Sequence, residues 1–136
     1  MVEITERMPA GQWLVSGPDM PANTLEGTDP LAIWLAPGRR LVVAEAQVAA
    51  PEGDFVSDVS DGLVVIDLVG PQAWDILAMA SSLDPVAVAP GRVAQVLFAG
   101  IKAIVYQRDT ALRLHVERPL APWLLDWLRQ AATALG

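Results

Sequence analysis

His115 is the only histidine of the chain, and cysteine is absent. Sites built from paired imidazoles or a thiolate are therefore excluded, and a nucleophile triad would have to use His115. Arg113, His115 and Glu117 recur with the two-residue period of a strand, and so do Leu112, Leu114 and Val116 between them. The first three thus share one face, which reads as solvated, and we expect His115 to be an ordinary surface residue there. The densest acidic stretch, Asp54, Asp58, Asp61 and Asp67, has the donors for a hard cation or for paired carboxylates. Its spacing matches no calcium loop, and Asp58 and Asp61 suit a turn whose backbone donors they cap. Asp67 lies inside the apolar run "LVVIDLV" and needs a partner, so it is expected at an edge or in a salt bridge. Arg39 and Arg40 have the geometry to clasp an anion, but after Pro37-Gly38 they read as a solvated hairpin tip. No catalytic, cofactor-binding or metal-ligating residue is assigned.

The segment "SDVSDGLVVIDLVGPQAWDIL", residues 57–77, joins an apolar run to a helical pattern through Gly70-Pro71. A phosphate-binding turn needs several glycines, whose N–H groups crowd an anion at the helix N-terminus. Here there is one glycine followed by proline, which has no N–H and a φ suited to the first helical turn, so the pair is expected to start a helix sharply.

Around that joint the remaining elements follow from period and breakers. The stretch "LAIWLAPGRRLVVAEAQ" predicts a hairpin turning at Pro37-Gly38, and residues 63–69 a buried strand of the sheet. A helix runs from Pro71 until "SSLDP" breaks it. Then come strands "VAQVLFA", "IKAIVYQR" and "ALRLHVE", joined by links short enough to force antiparallel pairing. A last helix opens at Pro119, with Leu120, Trp123 or Leu124, Trp127, Ala131 and Leu135 as its apolar stripe. We expect an α+β fold, a ferredoxin-like antiparallel sheet with two helices, preceded by an N-terminal hairpin. Residues 1–30 are expected to be an irregular N-terminal arm, in which only "QWLVS" looks like a strand, and residues 31–136 a single domain.

The net charge of −7 disfavours nucleic acid and acidic membrane surfaces as partners. The N-terminus carries Glu3 and Glu6 where a secretory leader is basic then apolar, and no apolar run reaches the ~18 residues of a membrane span. With no cysteine, the expected location is the cytoplasm. The hydrophobic share of 53% exceeds what a small domain can bury, so part of it must lie at the surface, where apolar patches mark interfaces. Five tryptophans point the same way. Trp123 and Trp127 are spaced i, i+4 on one helix face, and we expect Trp34, Arg39, Trp123 and Trp127 to be contact residues for a partner.

Taken in order, "SDVSDGLVVIDLVGPQAWDIL", "SSLDP", "PGRVAQVLFAGIKAIVYQ" and "LRLHVERPLAPWLLDWLRQAA" resemble the gamma subunit of heterotetrameric sarcosine oxidase, across residues 31–135. The chain departs from that pattern at Ala80-Ser81-Ser82, where the family has Gly-Cys-Pro, and at Arg118-Pro119-Leu120, where it has Arg-Ser-Phe. The resemblance implies a fold related to the aminomethyltransferase and folate-binding domains. It also implies a non-catalytic structural subunit docked on a large alpha chain, in an assembly that demethylates sarcosine, passes the one-carbon unit to tetrahydrofolate and makes hydrogen peroxide. FAD, FMN, NAD, the folate site and zinc are then expected in the alpha, beta and delta partner subunits, with none of these cofactors in this chain. Alone, such a subunit should self-associate. The alternative is a free-standing module for a folate-like small molecule, which needs a pocket lined by Trp74 or Trp34 with Arg39 or Arg92 converging on it. A third reading, an independent enzyme using His115 and a nearby carboxylate, has the least support from the residues.

Overall fold

In the computed structural model, which describes residues 2–17, 22–46 and 49–136, the chain begins with strands β1 (Glu3–Arg7), β2 (Gly11–Ser16), β3 (Thr24–Glu26), β4 (Leu31–Ala36), β5 (Arg39–Ala44), β6 (Phe55–Asp58) and β7 (Leu63–Val69). Helix α1 (Ala73–Ala80), strands β8 (Val93–Phe98), β9 (Ile101–Arg108) and β10 (Ala111–Glu117), and helix α2 (Ala121–Leu135) follow. Two antiparallel five-stranded sheets result, in the orders β1-β7-β10-β9-β8 and β3-β4-β5-β2-β6. The α+β class read from the sequence holds, and the expected hairpin is β4-β5, with Gly38 supplying the positive φ of 74° at its turn.

Strand alternation builds three layers. Val64, Ile66 and Leu68 of β7 point the same way as Leu112, Leu114 and Val116 of β10, and α1 and α2 cover them with Ile76, Leu77, Leu124 and Leu128. From the other face of this first sheet, Val93 and Tyr106 pack with Leu31, Ile33, Leu41 and Val43 of the second sheet. One sheet is therefore sandwiched between helices and a second sheet.

Gly70 adopts φ 124°, and its carbonyl accepts the Ala73 N–H at 3.1 Å, so Gly70-Pro71 turns β7 straight into α1 as expected of a joint. Three expectations need correction. The described part of residues 1–30 is not an irregular arm, because β1 pairs with β7 while β2 sits inside the second sheet between β5 and β6; residues 1 and 18–21 lie outside the described residues. The face holding Arg113 and His115 is not solvated, because the second sheet covers it and leaves only Glu117 exposed. On α2 the buried stripe is Ala121, Leu124, Leu125, Leu128 and Ala131, which leaves Leu120 and Trp123 facing outward. No helix of the described residues is long and apolar enough to cross a membrane.

Candidate functional site

The residues with chemical potential meet between the two sheets in two clusters. Register places Arg113 of β10 directly beside Asp67 of β7. The Arg113 Nε donates to Asp67 Oδ1 at 2.7 Å and its Nη2 to Oδ2 at 3.0 Å, a bidentate pair in which the residues are 3% and 6% exposed. Arg7 of β1 adds a longer bond to Asp67 Oδ2 at 3.4 Å and donates to Glu45 at 3.0 Å, while Arg113 reaches Glu45 at 3.4 Å. Two guanidinium groups thus balance two carboxylates. Burial alone would weaken the Arg113 charge, but the hydrogen bonds and charge of Asp67 outweigh it and hold the guanidinium more firmly protonated than usual.

The second cluster surrounds His115, which is 1% exposed. The Gln12 side chain donates its Nε2 to the Leu63 carbonyl at 3.1 Å, which leaves Gln12 Oε1 to accept from His115 Nδ1–H at 2.9 Å. His115 Nε2 must then be the acceptor, and the Tyr106 hydroxyl donates to it at 2.7 Å. The two rings stack with centroids 5.5 Å apart. Burial, with the Arg113 charge second, pushes the His115 pKa down to about 3, and burial pushes Tyr106 well above its ordinary value. An imidazole with both nitrogens occupied, almost no exposure and little affinity for a proton does not act as a general base near neutral pH.

A pH prediction follows. Below the ordinary histidine pKa of ~6.5 the unfolded chain takes up a proton that folded His115 refuses until about pH 3. Stability is therefore undiminished by this group above pH ~6.5 and falls by about 1.4 kcal/mol per unit as pH drops through that window. Because His115 is the only histidine, urea midpoints between pH ~6.5 and ~5 isolate its slope from the carboxylates. A flat profile there would contradict the buried neutral tautomer. Tyr106→Phe, which leaves His115 Nε2 without its donor, should cost about 1 to 3 kcal/mol in the same assay.

Of the acidic stretch, Asp58 accepts the Ser60 N–H at 2.9 Å, the capping role expected of it, and the Ser60 side chain first and this backbone bond second lower its pKa. Asp67 is salt-bridged, one of the two expected outcomes. Among the described residues no group of three His, Asp or Glu side chains is placed to hold a metal. Gln12, Tyr106, Arg7 and Glu45 escaped sequence reasoning, because each is polar only at a position that the second sheet happens to bury or border.

The four expected contact residues do not converge. Trp34 is 5% exposed on the second sheet beneath Arg40, whose guanidinium carbon lies 5.3 Å from the ring centroid, and little of the indole remains for another chain. Arg39 is exposed at the hairpin tip. Trp127 packs edge-on against Phe98 at 6.0 Å, whereas Trp123, one turn earlier, is 54% exposed. Nor do the pocket residues of the folate-like alternative meet. Trp74 borders a hollow of about 100 Å³ with Gln107 and Asp109 and no arginine, and the hollow of about 450 Å³ beside Leu63, Ile104 and His115 contains neither tryptophan. The surface carries large apolar side chains instead: Met8, Phe55, Met79, Val86 and Leu97 stand at least half exposed alongside Trp123.

No protein-family model matches the sequence, and neither does any curated protein. Among solved structures, the fold is shared with a chain of the heterotetrameric sarcosine oxidase from Corynebacterium sp. U-96 in complex with pyrrole 2-carboxylate. The TM-score is 0.86 at 18% sequence identity, over 98% of this chain and 84% of that chain.

Proposed function

We propose that this chain, which shares its fold with a chain of a heterotetrameric sarcosine oxidase, is a non-catalytic accessory subunit of an enzyme of that kind, corresponding to its gamma subunit. It docks on the large alpha chain and leaves the flavins, nicotinamide cofactor and zinc to its partners. The reaction served is the oxidative demethylation of sarcosine with one-carbon transfer to tetrahydrofolate, and the location that goes with it is the cytoplasm. The observation that carries this reading is the combination of that fold with occupied chemistry: His115, Asp67 and Arg113 are all engaged between the sheets, while large apolar side chains face outward. A subunit whose work is contact needs such a surface, and its interior polar groups serve to hold two sheets in register.

The test is co-expression with the large flavin-binding chain encoded by the same organism, followed by size-exclusion chromatography. A yellow, sarcosine-oxidising peak containing both chains is the expected result. Elution of this chain as a free monomer, with no flavoprotein retained, would sink the reading. The exposed Trp123 offers a first probe of the contact: Trp123→Ala should leave folding of the isolated chain within about 0.5 kcal/mol of the parent.

A further inference from the structure

The geometry points to a docking site at the edge strand β8, where an extended segment of a partner polypeptide adds as a further strand between Val93 and Ala99. This rests on the accessory-subunit reading and names the surface through which it would act. Strand β8 closes the first sheet on one side, pairing with β9 only. At its start the Val93 N–H points away from β9 and donates to the Asn23 carbonyl at 3.1 Å. Just past its end the Ala99 N–H donates to the Ala80 carbonyl, the last residue of α1, at 2.9 Å. The two-residue period puts the backbone N–H and C=O groups of Gln95 and Leu97 on the same outward side, in the window between those two closures. Among the described residues they have no intramolecular partner. The window spans about 20 Å from Val93 to Ala99, room for four or five residues of extended chain.

Edge strands are normally blunted by charge, proline or a bulge, and "VAQVLF" has none of these. Two hollows border the window. One, of about 450 Å³, is lined by Leu63, Gln95, Lys102, Ile104 and Glu117; the other, of about 540 Å³, by Ser81, Ser82, Leu83, Val96 and Gly100. Leu97, 60% exposed, lines both. Side chains of an added strand alternate between faces, so successive residues of the incoming segment would enter one hollow and then the other.

The chemistry of the occupant follows. Main-chain pairing demands an extended peptide, and the apolar lining demands apolar side chains at alternate positions. Lys102, the only lysine in a chain of net charge −7, lines the hollow of about 450 Å³, which Glu117 also borders, with no carboxylate within 4 Å among the described residues. It calls for an acidic side chain on the incoming segment. A second copy of β8 does not fit. In the antiparallel register that pairs Gln95 and Leu97 with Leu97 and Gln95 of a copy, Ala99 of that copy falls opposite Val93, where Asn23 already sits.

Hydrogen exchange of the peptide spanning 93–99 tests this, comparing the free chain with its complex with the large flavin-binding chain of the same organism. The Gln95 and Leu97 amides should exchange freely in the isolated chain and at least tenfold more slowly in the complex. Leu97→Pro removes an outward N–H that serves no internal bond and should weaken the complex at least tenfold. Lys102→Glu, an exposed change that leaves the fold intact, should weaken it severalfold. A complex that forms while these amides stay fast and both variants bind normally overturns the β8 site and leaves the accessory role standing. Absence of any complex overturns both. Protection of the same amides in the concentrated isolated chain would assign the edge to a second copy and overturn the site as stated.

Discussion

Replacing Asp67 with alanine destabilises the fold by about 3 to 5 kcal/mol, the largest single effect we expect. The substitution strands the Arg113 guanidinium, 3% exposed, without the carboxylate that takes two of its hydrogen bonds. Glu45, the remaining acid, lies at 3.4 Å and is partly solvated, so it replaces little of the lost interaction. Arg7, more exposed than Arg113, should matter far less: Arg7→Ala is expected to cost about 1 kcal/mol or below. The double variant Asp67→Leu with Arg113→Met removes both charges together and should recover most of the loss, since burying an ion pair gains little over packing apolar groups. Urea unfolding of Asp67→Leu, Arg113→Met and the double variant, followed by tryptophan fluorescence, gives the coupling directly. If Asp67→Ala cost less than about 1 kcal/mol, the pair would not be desolvated as described.

The second large effect separates the two sides of α2. Leu128 is fully buried against the first sheet, so Leu128→Ala should cost about 2 to 5 kcal/mol in the free chain. Trp123, one helical turn away on the outward side, removes more volume when truncated yet touches water already, and its loss should leave the free chain nearly unaffected. Thermal unfolding of both variants decides the matter. Equal losses would mean that the helix buries the side that includes Trp123.

That helix shows how far the chain can be read without its structure. The period of 3.6 admits two neighbouring stripes, one through Leu120, Trp123 and Trp127 and one through Leu124, Leu128 and Ala131. The stripe read from the sequence mixes the two and leaves Trp123 or Leu124 open; the structure buries the second and leaves Trp127 half covered. Strands β7 to β10, helix α1 and the β4-β5 hairpin were legible because their cues are local: alternation, β-branched runs, Pro-Gly breaks and short links. The rest of the second sheet was not, because β2 pairs with strands across intervening loops and β3 and β6 are three and four residues long; nor was β1, which joins the first sheet by pairing with the distant β7. Missing that layer is what made Arg113 and His115 read as solvated. Asp67 was flagged correctly, since a lone charge in "LVVIDLV" implies a partner even when the partner's identity depends on register.

Sedimentation velocity, following flavin absorbance, tests most directly whether this chain works by docking. The isolated chain is mixed with the purified large flavin-binding chain of the same organism. The account predicts a yellow boundary that moves faster when this chain is added, with Trp123→Ala or Leu97→Pro reducing the shift. A flavin boundary unchanged by excess chain, beside a slow boundary of free 14.5 kDa protein, would contradict it.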